Sequence, residues 1–266
     1  MSIKSKLGFI YRWFIWIKDT IFDNPQINKN IKSFSLWKTL LWEDIKYYKY
    51  GKWNEKILYL WWIHWNEVWT VKLMNKWVNY ISNINENKSI FIIPCLNIDW
   101  YKKAVKNPDY FSWWTIWKTN ENNIDLNRNF PTENWSKDTK LFVSWKYIDI
   151  SWWTRAWSEQ EIKILLDFIK NENIKTIYCY HNCWGTVMWT FTTSTNGLVN
   201  NYSKASGYNI YSRQDWDNLK DEQKTWHWTQ WGIETDTDFI EIELKTRWWS
   251  EWTRNKKALI SSLNIK

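Results

Sequence analysis

The chain has 266 residues, with 36 Lys and Arg against 28 Asp and Glu, for a formal net charge of +8. That length can bury a sizeable core in one α/β domain, and the positive charges are scattered rather than striped, which argues against a nucleic-acid partner. Three cysteines, Cys95, Cys179 and Cys183, are too few and too odd in number for a disulfide framework.

The first 22 residues, MSIKSKLGFIYRWFIWIKDTIF, are apolar but interrupted by Arg12 and Lys18. The run is too short and too charged to span a membrane, and no small-residue cleavage site follows. It predicts an amphipathic leader helix within residues 1–30, ahead of a domain over residues 31–266, with the cytoplasm as the expected compartment.

Residues 45–50 (IKYYKY) predict a strand turned by Gly51, and residues 57–62 (ILYLWW) a short buried strand. Val68, Val71, Leu73, Met74, Val78 and Ile81 recur at helical spacing, predicting a helix over 68–81. SIFIIPCLN (89–97) reads as a strand, and residues 100–157 as long loops around one short segment, NIDLNRNFP. SEQEIKILLDFIKNEN (158–173) reads as a helix opened by a capping box from Ser158 to Glu161. IKTIYCYH (174–181) and DFIEIEL (238–244) read as strands, and RNKKALISSLNI as a terminal helix. Strands separated by helices define a three-layer α/β/α fold on a mixed, mostly parallel central sheet.

The chain has three histidines, His64, His181 and His227. His64 and Glu67 fall on the turn between the strand at 57–62 and the helix at 68–81, and His181 ends another strand; α/β folds place their chemistry at such carboxyl ends. Two histidines and one carboxylate are a known ligand set for zinc with an open fourth position. Metal-assisted hydrolysis also needs a base. Glu241 and Glu243 share one face of their strand, which reads equally as the solvated face of an edge strand. Cys179 and Cys183 bracket His181 without the paired spacing of a zinc knuckle, and Cys95 and Cys179 read as buried small hydrophobes.

The stretch LWWIHWNEVWT at 60–70 surrounds this half-site with bulky indoles. The chain has 28 Trp and 6 Gly, where average usage would give roughly 19 Gly. Doublets at Trp61-Trp62, Trp113-Trp114, Trp152-Trp153 and Trp248-Trp249 lie mostly beside turn-forming residues. The pattern is that of UGA codons read as glycine in the source organism but translated as tryptophan. Trp135, in an ENW context, reads as a genuine tryptophan.

With glycine at those positions the stretch becomes LGGIHGNEVGT, which resembles the first metal motif of the M14 zinc carboxypeptidase family. NIDWY, NIDLNRNFP, TRAWSEQEIKIL, YCYHN and FIEIEL resemble its later motifs in order, over about residues 33–247. Within the family, the compact length and the run Asn129 to Trp135 look most like the murein-peptide amidase branch. The resemblance implies one Zn2+ ion held by His64, Glu67 and His181, with Glu243 as general base and Asn127 and Arg128 clamping the free carboxylate of a small peptide substrate. The scattered charge and the short, charged N-terminal run imply no nucleic acid and no membrane span. Where the family usually has an arginine that polarises the scissile carbonyl, this chain has Lys118, which supplies charge but no planar fork. Tyr208 and Tyr211 are candidates for the family's substrate-covering tyrosine, and His227 is assigned no role. Two other readings remain: an N-acyl amino acid deacylase resembling the aspartoacylase branch, and a non-catalytic binding protein if the tryptophans are genuine.

Overall fold

The computed structural model describes residues 25–61, 67–83, 88–106, 119–122, 124–133, 135, 140–143, 146–149, 156–182, 184–218, 228–246 and 250–263. Strands β1 (Phe34–Lys38) and β2 (Asp44–Tyr50) form a hairpin, followed by β3 (Lys56–Trp61), helix α1 (Val68–Ile81), β4 (Ser89–Ile93) and α2 (Ile98–Lys106). A single 3-10 turn at Leu126–Arg128 precedes a separate hairpin, β5 (Lys140–Val143) and β6 (Lys146–Asp149). Then come α3 (Gln160–Asn171), β7 (Thr176–Asn182), β8 (Thr186–Trp189), α4 (Thr193–Ser206), β9 (Asn209–Ile210), α5 (Arg213–Asp217), α6 (Trp228–Glu234), β10 (Asp238–Leu244) and α7 (Trp252–Leu263).

Eight strands make one mixed sheet in the order β1-β2-β4-β3-β7-β10-β8-β9. Its centre, β4-β3-β7-β10, is parallel throughout, while β1-β2, β2-β4 and β10-β8 are antiparallel. The central strands are apolar on both faces because helices cover both. One face carries Ile57, Tyr59, Tyr178, Tyr180, Ile240 and Ile242 against residues of α1, α4 and α7. The other carries Leu58, Leu60, Ile177, Cys179 and Phe239 against residues of α3 and α6. This is the three-layer arrangement that the alternation of elements predicts.

The helix predicted over 68–81 has those bounds, and β2, β3, β7, β10 and α7 lie within two residues of expectation at each end. Gly51 turns the chain after β2 at φ 74, where a Cβ would sit 2.2 Å from the Lys88 carbonyl oxygen. Cys95 and Cys179 are buried free thiols, as expected, and Cys183 lies outside the described residues.

Several expectations need correction. The strand predicted over 89–97 stops at Ile93, because Pro94 has no N–H to continue an interior ladder. The region 100–157 contains the end of α2 and the β5-β6 hairpin as well as loops. Helix α3 begins at Gln160 with Glu159 at its N-cap and no side-chain cap bond. The Ser158 hydroxyl, expected to cap, instead donates to the Glu159 carboxylate at 2.6 Å. Of the predicted leader, residues 1–24 lie outside the described residues, and 25–30 are not helical. That segment rests on α1, where Asn79 accepts from the Asn28 N–H and donates to the Gln26 carbonyl. Among the described residues no helix is long and apolar enough to cross a membrane.

Candidate metal centre

The carboxyl ends of β3, β7 and β10 lie side by side, the position where an open α/β sheet forms its crevice. His181 is the sixth residue of β7 and follows Ile177 and Cys179 on the same face. The parallel register sets Glu243 directly beside it, with Glu241 two residues earlier on the same face of β10. Glu67 arrives from the start of α1. It occupies the N-cap position, yet its side chain makes no cap bond. Its Oε2 instead lies 3.3 Å from His181 Nδ1, with both side chains buried.

That distance bears on metal binding. Two ligand atoms each about 2.0–2.1 Å from a tetrahedral zinc lie about 3.3–3.4 Å apart, so Glu67 Oε2 and His181 Nδ1 span one edge of such a site. His181, Glu241 and Glu243 also offer ligand atoms that all lie within 4.8 Å of one another. This grouping is looser than a tetrahedral edge, and His181 meets Glu241 through the other nitrogen, Nε2, at 4.0 Å. The imidazole therefore has Glu67 on its Nδ1 side and Glu241 on its Nε2 side. The first contact suits a shared ion; the second suits a group that orients the ring.

Glu241 is 3% exposed. This corrects the alternative in which its face is the solvated side of an edge strand: β10 lies between β7 and β8, and α6 packs on that face. Burial pushes the Glu241 carboxyl well up, and the neighbouring Glu243 and Glu67 push the same way, while the Arg128 guanidinium pulls it down. The buried Cys179 thiol is raised first by burial and then by Glu241, Glu67 and Glu243. Three carboxylates thus converge on one region, and a divalent cation is what would neutralise them.

Asn127 and Arg128 occupy the 3-10 turn, opened by Asp125, whose side chain accepts from the Asn127 N–H at 2.8 Å. Asn127 is buried and Arg128 half-buried, with its Nη1 donating to the Asn127 carbonyl at 3.0 Å. The Arg128 charge acts on the Glu241 carboxyl, lowering it. His64, Lys118 and His227 lie outside the described residues. Tyr208 is buried, its hydroxyl donating to Glu251 at 2.9 Å and accepting from Asn255 at 3.0 Å, which removes it as a substrate cover. Tyr211 donates to the Asp215 carbonyl beyond β9, on the far edge of the sheet.

An imidazole and three carboxylates at the strand ends of a mixed α/β sheet are a donor set of the kind that holds a divalent metal ion. The family model for zinc carboxypeptidases, peptidase family M14, matches residues 67–255, well over half of the chain. The chain belongs to that family, whose members are zinc-dependent metallopeptidases. Solved structures agree in fold. The murein-tripeptide amidase MpaA from Escherichia coli O157 is 14% identical with a TM-score of 0.65, covering 91% of this chain and 94% of its own. Bovine thrombin-activatable fibrinolysis inhibitor, in complex with tick carboxypeptidase inhibitor, is 16% identical with a TM-score of 0.64, covering 97% and 95%. Carboxypeptidase A from Helicoverpa armigera is 12% identical with a TM-score of 0.62, covering 92% of this chain and 68% of its own.

Proposed function

We propose that the protein hydrolyses an amide bond next to a free carboxylate in small peptides, with murein peptides as the substrate class. The 3.3 Å edge between Glu67 Oε2 and His181 Nδ1 carries the reading. His64, Glu67 and His181 would hold one zinc ion. A zinc ion there supplies Lewis acidity, polarising the scissile carbonyl and lowering the pKa of its water to about 7. Glu243 takes the proton of the attacking water and passes it to the nitrogen of the leaving amine as the C–N bond breaks. Arg128 and Asn127 hold the substrate's terminal carboxylate, Arg through its bidentate fork, and Lys118 offers positive charge toward the developing oxyanion. The murein assignment rests on the run Asn129 to Trp135 and on the amidase among the similar folds.

Glycine in place of many tryptophans is part of this reading, since indoles at 62 and 65 would crowd the ion. Among non-glycine residues, Trp42 and Trp157 have φ of 63° and 57°. Asn173, Asp236, Phe191 and Glu251 share that conformation; short polar side chains tolerate it best, and bulky ones adopt it at a cost. The family match begins at Glu67, directly after the tryptophan-rich run. UGA codons at Trp42, Trp61, Trp62, Trp65 and Trp157 support glycine, and UGG codons there refute it.

The direct test is Glu243→Gln. The variant should keep its zinc, measured by metal analysis, and lose hydrolysis of a murein tripeptide by about 10²–10⁴-fold. Retained activity removes Glu243 from the base role. A preference for N-acyl amino acids over the tripeptide would select the deacylase alternative.

A further inference from the structure

The turn carrying Asn127 and Arg128 is held at both ends by one tripeptide, Trp157 to Glu159, just before α3. At the exit of the turn, Asn129 is bound three ways. Its carbonyl accepts from the Trp157 N–H at 3.0 Å. Its Oδ1 accepts from the Glu159 N–H at 2.8 Å, and its Nδ2 donates to the Ser158 hydroxyl at 2.9 Å. At the entrance, one carboxylate oxygen of Glu159 accepts from Asn120 Nδ2 at 2.6 Å and Asn122 Nδ2 at 2.8 Å. Asn120 in turn closes its own loop: its Oδ1 accepts from the N–H groups of Asn122 and Ile124, and its N–H donates to the Ile124 carbonyl.

We propose that Glu159 is a positioning residue that sets the carboxylate clamp, tying residues 120–122 and Asn129 together so that Asn127 and Arg128 face the crevice at a fixed distance from His181. Glu159 is 3% exposed, and its carboxylate accepts three hydrogen bonds, two from the Asn side chains and one from Ser158. Hydrogen bonds to an ionised acceptor are about twice as strong as neutral ones. Such a carboxylate is costly to bury unless it is fully used. Its satisfied network rigidifies a loop whose regular structure is one turn of 3-10 helix. Misplacing a substrate-positioning group by about 1 Å is enough to cost on the order of a hundredfold.

The proposal rests on the clamp role of Asn127 and Arg128, and the experiment separates the two. Glu159→Ala, made in the zinc-loaded protein, should raise KM for a tripeptide with a free terminal carboxylate by about tenfold to a hundredfold. It should leave zinc content, kcat and hydrolysis of the same peptide with an amidated terminus at wild-type levels. Glu159→Gln should rescue, because its amide oxygen can still accept from both Asn side chains while its NH2 donates to Ser158. Amide exchange across residues 124–129 is followed in the same variants and needs no activity. It should quicken in Glu159→Ala and return in Glu159→Gln, with α3 unchanged. If Glu159→Ala does not fold, Asn122→Ala, at an exposed residue, removes one arm and should give a smaller effect of the same kind. Unchanged exchange over 124–129, or a loss shared equally by free and amidated peptides, overturns the positioning role. A wild-type protein with no preference for a free carboxylate overturns the clamp role instead, and exchange still decides whether Glu159 holds the turn.

Discussion

At Trp42 the chain closes the β1-β2 hairpin: its N–H donates to the Thr39 carbonyl, and Thr39 and Glu43 pair across the loop at 2.9 Å. Hairpin loops of this length turn through a residue in the left-handed region, the position that glycine fills without cost. An L-residue there costs roughly 1–2 kcal/mol, and the indole, 79% exposed, recovers little of it by packing. Trp42→Gly should therefore raise unfolding free energy by about 1 kcal/mol after glycine's extra chain entropy is counted. Trp37→Gly, in β1 beside the register shift between Ser35 and Trp37 and without a positive φ, should lower it by a similar amount. Urea denaturation measures both, and a Trp42→Gly protein no more stable than wild type refutes glycine at that turn. Buried indoles discriminate less well. Among the described residues, Nε1 of Trp61, Trp77 and Trp189 meets no acceptor, but so does that of Trp135, read as genuine.

Elements were legible where burial imposed a period. α1 shows its apolar spacing and β3 its unbroken apolar run, so both emerged with accurate bounds. β10 emerged too, but the alternation of Glu241 and Glu243 with isoleucines could not show what lies on either side of the strand. Only its pairing with both β7 and β8 makes the acidic face interior. The entry to α3 misled for a related reason. Ser-x-x-Glu has capping spacing, but the Ser158 hydroxyl is spent on Glu159, and Asn129 occupies it from a distant loop. Local spacing carries no record of such a partner, which lies 29 residues away. Glu161, the supposed cap partner, sits in the same network, and its carboxyl is pushed up by burial first, with the charges of Glu159 and Asp99 adding. A raised carboxyl favours the protonated form in the folded state, so the ionised group opposes folding at neutral pH. That penalty shrinks as pH falls through the raised value and vanishes below the unfolded value near 4.5. Glu161→Gln, which keeps the acceptor for Asn120 Nδ2, should stabilise the protein at pH 7 and converge on wild type near pH 4. Equal stabilisation at both values would mean that the charge is not the cause.

At the scale of the whole molecule, three pieces distant in sequence meet: the start of α1 through Glu67, the end of β7 through His181 and the end of β10 through Glu243. These pieces meet along the middle of the sheet, so anything that loosens their junction acts on both helical layers. The Glu241 carboxyl is raised there first by burial and then by the neighbouring charges of Glu243 and Glu67. A metal that binds only the folded state adds RT ln(1 + [L]/Kd), about 4 kcal/mol at a free concentration of 1,000 Kd. Dialysis against a chelator should therefore lower the unfolding temperature of the metal-loaded protein by several degrees. Returning zinc should restore it, whereas magnesium, which favours an all-oxygen octahedral shell, should not. The comparison works in the Glu243→Gln variant as well, because that substitution leaves Glu67 and His181 in place. An unfolding temperature indifferent to both chelator and zinc would show that these carboxylates and the imidazole are held together by the fold alone.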